Sequence, residues 1–118
     1  MQLPCVIEMA AKCFFSKASV ALSGYPMLTK GNANLLLVHG TEMQKAVFAR
    51  NEFGGRFSGT MCLSEPQAGS SLSDITTRAV PDGDDFDSDP LGPRYRLKGN
   101  KMWISAGEHE LSENIIHL

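Results

Sequence analysis

The stretch N-E-F-G-G-R-F-S-G-T-M-C-L, Asn51 to Leu63, decides how the chain is built. Up to about Arg50 the apolar residues recur at helical intervals, and Gly54-Gly55 breaks that rhythm. From there Phe57, Met61 and Leu63 alternate with Ser58, Thr60 and Cys62, the period of a strand. Helices followed by strands imply an α+β arrangement rather than a doubly wound sheet. The boundary falls at the glycine pair, with a helical part over residues 1–55 and a β part over residues 56–118.

On the helical side, Leu3, Val6, Ile7, Ala10, Phe14, Ala18, Ala21 and Leu22 form one amphipathic stripe. Gly24 and Pro26 act as a stop signal and predict that this helix ends near Ser23. Asn32 to Val38 is a second helical segment, closed by Gly40. Thr41 and Gln44 match the T-x-x-Q capping box, which opens a third helix running to about Arg50.

On the β side, Ile75 to Val80 reads as a strand. Tyr95 and Leu97 alternate with Arg94, Arg96 and Lys98, and after Gly99-Asn100 Met102 and Ile104 alternate with Trp103 and Ser105. That pattern predicts a hairpin turning at Gly99-Asn100, with Trp103 on a strand face. Pro81 to Pro93, rich in aspartate, proline and glycine, is expected to be a mobile loop. Asn114 to Leu118 is an apolar strand-like run, expected to be cut off within a β-domain and to leave an unpaired edge.

Composition narrows the function classes. The 118 residues carry 11 basic and 13 acidic side chains, a formal charge of -2, so no strong field draws the chain to nucleic acid or anionic lipid. Cys5, Cys13 and Cys62 are an odd set without C-x-x-C spacing, which argues against a disulfide framework and for a reducing, cytoplasmic setting. No apolar run is long enough to span a bilayer, and no export signal opens the chain. No metal site is expected. His109 lacks a second His or Cys at ligand spacing, and the Asp85, Asp87, Asp89 series has Pro90 where a calcium loop needs glycine. Ser70 and Ser71 do not sit in G-x-S-x-G, and there is no G-x-G-x-x-G.

Two stretches remain that carry chemistry. Gly59 to Ser71, G-T-M-C-L-S-E-P-Q-A-G-S-S, runs from a strand into a turn rich in backbone donors and hydroxyls. Pro66 restricts Glu65, and Gly69 permits close approach of a ligand. On spacing alone an ordinary strand-exit turn accounts for it as well. Lys98 to Gly107, K-G-N-K-M-W-I-S-A-G, holds the one tryptophan, whose indole either covers a sheet or walls a planar ligand.

In their order and separation, M-C-L-S-E-P-Q-A-G-S and G-N-K-M-W-I-S-A-G resemble the paired flavin signatures of acyl-CoA dehydrogenases. The preceding Gly31-Asn32 and Gly40 to Lys45 are similar to the end of that family's N-terminal helical domain, so the resemblance covers nearly the whole chain. Ser105 to Leu111 is similar to the branch acting on methylthio-acyl thioesters. The resemblance implies an incomplete antiparallel β-barrel behind the helices and FAD as cofactor. Met61, Leu63 and Ser64 would contact the isoalloxazine edge, and Gly69 and Ser70 would lie against flavin and substrate, with Ser70 reaching the acyl-CoA. Trp103 would pack beside the flavin, Ile104 would act through its backbone, and Ser105 would stand near the nitrogen that receives hydride.

The implied reaction abstracts a proton and a hydride from adjacent carbons of an acyl-CoA, leaving a trans double bond and reduced flavin. Its base belongs to a C-terminal domain outside this chain, so no catalytic residue is assigned. Glu65, Glu108 and Glu110 are expected to be merely solvated. An electron-transfer flavoprotein or similar acceptor and a homo-oligomeric parent are further implications. Ser71 stands where the family usually has aspartate, and Ser64 and Ser105 where threonine is frequent. Two rival readings are a related flavoprotein that protects DNA and a non-catalytic β-module.

Overall fold

The computed structural model describes residues 3–118. Two helices, α1 (Cys5–Ala18) and α2 (Val20–His39), are separated by the single extended residue Ser19. Its hydroxyl accepts the Leu22 N–H at 3.3 Å, capping the start of α2. The helix end expected near Ser23 is therefore misplaced: Gly24 and Pro26 lie inside α2. Proline forfeits one backbone hydrogen bond, a cost of about 3 kcal/mol in a helix interior. The face carrying Ser23, Asn32, Ala33 and Leu36 is buried, and that packing outweighs the local penalty.

The Thr41 capping box forms as the sequence implies, with Gln44 N–H to Thr41 Oγ1 at 3.1 Å and Thr41 N–H to Gln44 Oε1 at 2.9 Å. It opens a rod made of α3 (Glu42–Gln44), a π-helical stretch (Lys45–Ala49) and α4 (Arg50–Phe53). Gly55, at φ 75°, then takes the left-handed conformation that turns the chain out of the helix.

Among the described residues the strands form two separate two-stranded sheets, and no barrel closes. β1 (Phe57–Thr60) pairs in parallel with β4 (Asn114–His117), with Phe57 opposite Asn114. The run expected to offer an unpaired edge is held by β1 on one side, with no strand on its other side among the described residues, and the purely antiparallel expectation fails at this pair. β2 (Arg78–Pro81) pairs antiparallel with β3 (Tyr95–Lys98).

The hairpin expected at Gly99-Asn100 is not formed: β3 turns back on β2 across the 82–94 segment, and residues 101–104 leave the strand conformation. The Met102 N–H is spent on the Ser64 carbonyl at 3.1 Å, which takes it out of any ladder with β3. A Cβ on Gly99 would meet the Thr77 backbone at 2.9 Å, so the chain turns where only glycine fits. The expected loop closes on itself. Asp82 N–H donates to the Arg94 carbonyl at 3.1 Å, Arg96 pairs with Asp82 at 2.6 Å, and Phe86 packs edge-on against Tyr95 at 5.6 Å.

The helices meet the β1–β4 sheet through polar contacts. Asn32 donates to the Ile116 carbonyl at 2.8 Å, and Thr29 accepts the Gly59 N–H at 3.0 Å. Gly59 permits this approach, because a Cβ there would lie 2.6 Å from Asn32 Cβ. The buried apolar residues are Ala33, Leu36, Ala49 and Ala68, while Val6, Phe14 and Phe15 of α1 stay exposed. Among the described residues no helix is long and apolar enough to cross a membrane.

Candidate functional site

Leaving β1, the chain passes through Met61 to Ser64 and enters a tight turn. Glu65 N–H donates to the Ala68 carbonyl at 2.8 Å, and the Ala68 N–H returns to the Glu65 carbonyl at 3.1 Å. Pro66 and Gln67 occupy its corner, as the fixed φ of proline favours. The Glu65 side chain points inward and is 1% exposed.

Its carboxylate collects donors from three separate segments. Oε2 accepts the Thr76 N–H at 2.8 Å, the Thr76 hydroxyl at 2.9 Å and Gln67 Nε2 at 2.7 Å. Oε1 accepts the Thr77 N–H at 3.0 Å and Lys101 Nζ at 2.9 Å. The Thr77 side chain, the Thr76 N–H and Lys101 hold the carboxyl well below the usual carboxylate range, against desolvation. The Thr77 hydroxyl is itself left without a hydrogen-bond partner, so the well-aligned Thr76 and Lys101 contacts have the geometry to carry the effect. Glu65 is therefore not the solvated loop acid expected: it is the post around which the turn is built.

Lys101 also donates to the Leu63 carbonyl at 3.1 Å. With the Met102 to Ser64 bond, it staples the 101–107 segment to the 61–65 segment. Lys101 was missed in the sequence because a lysine in a strand-like pattern signals only solvent. The buried acid before Pro66, with a threonine pair to follow, was the available hint.

Met61, Leu63 and Ser64 sit on one side of the staple, and Trp103, Ile104 and Ser105 follow directly on the other. Gly69 and Ser70 lie past the turn, exposed, with no hydrogen bond to the 101–107 segment among the described residues. Trp103 is not on a strand face. It has φ 57°, a left-handed conformation unusual for a bulky residue, and the residue is 78% exposed. Ala106 shares that φ, and the Gly107 N–H closes the following turn on the Ile104 carbonyl at 3.2 Å.

The chemistry left free here suits a flat heteroaromatic ring. Met61, Leu63 and Trp103 expose apolar surface at 47%, 36% and 78%. The Ser64, Ser70 and Ser105 hydroxyls make no hydrogen bond within the described residues. Nothing lies within 4 Å of a Cβ built on Gly69, so the approach there is open.

A second polar group escaped the sequence reading. Glu52 of α4 is 4% exposed, and neither of its carboxyl oxygens has a partner within the described residues. Burial pushes its carboxyl up to about 7. A charged residue at a helix end gives no sequence signal of this kind.

No protein-family model matches the chain. It is 42% identical to 3-methylmercaptopropionyl-CoA dehydrogenase of Ruegeria pomeroyi over 118 residues, which is all of this chain and 19% of that relative. It is 33% identical to a butyryl-CoA dehydrogenase of Syntrophomonas wolfei over 117 residues, 99% of this chain and 18% of the relative. The human very long-chain specific acyl-CoA dehydrogenase matches 72 residues, 61% of the chain, at 38% identity. The chain thus spans only 19% and 18% of the length of the two relatives that match it throughout. Relatives named for different acyl-CoA substrates match the same segment, with both quoted motifs inside it, and the chain belongs to the acyl-CoA dehydrogenase family.

Proposed function

We propose that this chain is part of an FAD-dependent acyl-CoA dehydrogenase, oxidising the bond between the two carbons next to a thioester to a trans double bond. The observation that carries the reading is the Met102 to Ser64 hydrogen bond at 3.1 Å, which joins two motifs far apart in sequence into one surface. Residues 1–55 supply the end of a helical domain, and residues 56–118 the first part of a flavin-holding β-barrel that closes with further chain.

When bound, FAD supplies the hydride acceptor. Met61 and Leu63 lay apolar surface along the ring, and Ser64 offers a hydroxyl to its polar edge. Trp103 shields it from water, Ile104 contributes backbone, and Ser105 offers a hydroxyl near the accepting nitrogen. Gly69 leaves room for close approach, and Ser70 reaches toward the acyl-CoA. Glu65 and Lys101 position these groups without touching the reacting atoms. None of the residues here acts as the base.

The match to 3-methylmercaptopropionyl-CoA dehydrogenase supports a short, sulfur-bearing acyl group as substrate. The parent enzyme is a cytoplasmic homo-oligomer that passes electrons to an electron-transfer flavoprotein or similar acceptor. The test is a flavin absorption spectrum of the full-length parent, followed by additions of acyl-CoAs of differing length and with or without the thioether. Bleaching by one class supports the reading, and a colourless protein or a spectrum indifferent to every acyl-CoA sinks it.

A further inference from the structure

We propose that Cys62 is a peroxide-reactive thiol, with His117 as its proton acceptor and the Thr60 hydroxyl as the link between them. This site belongs to the β1–β4 pair and is independent of the flavin reading. Thr60 and His117 stand opposite each other across the parallel ladder. Side chains two apart in an extended chain share a face, so Cys62 follows Thr60 onto the same side, and its N–H donates to the Leu118 carbonyl just past the last ladder pair. His117 Nδ1 lies 2.8 Å from Thr60 Oγ1 and 3.8 Å from Cys62 Sγ, and Thr60 Oγ1 lies 3.6 Å from that sulfur. Thr60 is 1% exposed, which holds its hydroxyl between the other two groups. Cys62 is half-buried and His117 exposed, and their contact lies at the surface.

A hydroxyl has one hydrogen to give and lone pairs to receive another. With Nδ1 unprotonated, the tautomer assigned from this contact, Thr60 donates to the ring and accepts from the thiol. Sulfur, oxygen and nitrogen then form a chain along which a proton passes from Cys62 to His117. The thiolate is the nucleophilic form of cysteine, and imidazole is the side chain that exchanges protons near neutral pH. Cys5 and Cys13 supply the contrast: both are exposed on α1, and neither has a side-chain hydrogen bond among the described residues.

Hydrogen peroxide is the electrophile that this arrangement fits, because its leaving oxygen needs the proton that the relay has stored. The thiolate attacks one peroxide oxygen, a sulfur–oxygen bond forms as the O–O bond breaks, and the sulfur is oxidised by two electrons to a sulfenic acid. The departing hydroxide carries off the electron pair of the broken bond, takes the proton from His117 and leaves as water. Thiol and hydrogen peroxide thus give sulfenic acid and water, with the imidazole returned to its neutral form.

Treatment of the chain with hydrogen peroxide at pH 7 in the presence of dimedone, which traps sulfenic acids, followed by peptide mass spectrometry, reads Cys5, Cys13 and Cys62 separately. Cys62 is expected to be trapped about tenfold faster than the other two, a modest share of what general acid–base help provides. Exposure alone gives the reverse order, since the two helix cysteines are the more open. His117→Gln should bring the Cys62 rate down to that of Cys5 and Cys13 and leave those two unmoved. Thr60→Val, which keeps the shape and removes the hydroxyl, should slow Cys62 as well, and Thr60→Ser should restore it. Trapping at Cys62 no faster than at the helix cysteines, or a Cys62 rate indifferent to His117→Gln in a chain of unchanged circular dichroism, would overturn the proposal.

Discussion

Lys101 Nζ lies 2.9 Å from Glu65 Oε1, and the carboxylate it meets is 1% exposed. A buried charge of this kind is stable only while its partners are present, and losing one partner costs more than an exposed ion pair would. Lys101→Met leaves the Thr76, Thr77 and Gln67 donors in place. It is expected to destabilise the fold by about 2 kcal/mol, within the range for hydrogen bonds to a charged group. Urea unfolding measures this, and an unchanged midpoint would show that the staple contributes nothing.

The Glu65 carboxyl titrates well below its unfolded value, so the sign of its pH dependence follows. Its stabilisation is complete above the unfolded carboxylate pKa of about 4.3 and is lost as pH falls toward the depressed folded value. Thermal melts of the chain between pH 5 and pH 3 should fall steeply, on the scale of about one to three units of pH that this linkage spans. In Glu65→Gln the same melts should be flatter and start lower.

Glu52 has the opposite sign. Its carboxyl is raised to about 7, so folding favours the protonated form, and the penalty grows between the unfolded pKa and pH 7 and is full above it. Glu52→Gln should stabilise the chain by on the order of 2–3 kcal/mol at pH 8 and by little near pH 4. Chemical denaturation at the two pH values decides it, and equal effects at both would refute the burial account.

Gly59 is where α2 rests on β1. A Cβ there would press on Glu52 Oε1 and lie 2.6 Å from Asn32 Cβ. Gly59→Ala should cost about 1–3 kcal/mol through overpacking, whereas Gly69→Ala, with open space around it, should leave the melt unchanged. If the flavin reading holds, Gly69→Ala instead lowers FAD affinity in the full-length parent, measured by flavin release.

Trp103 separates structure from function in one residue. Its left-handed φ of 57° carries strain of about 1 kcal/mol for a bulky side chain, and its ring covers no core. Trp103→Gly should leave the chain as stable or more so, while the full-length parent loses flavin affinity. A marked drop in melting temperature of the chain would show that the indole packs at home.

The features legible in the order of residues alone are local or combinatorial. The period change at Gly54-Gly55, the Thr41 to Gln44 capping box and the α+β order are set by neighbours a few positions apart, and the structure carries them. The two motifs brought the family resemblance into view because their order survives without knowledge of their distance. Tertiary contacts decided the rest. Pro26 stays inside α2 because the burial of that face outweighs one lost hydrogen bond. The turn at Gly99-Asn100 yields to β2 and to Ser64, and Asn114–His117 finds β1 along one of its two edges. Glu65, Lys101 and Glu52 take their roles from burial and from partners far along the chain, and a linear pattern carries neither, because the same charged letters serve equally on a solvated face.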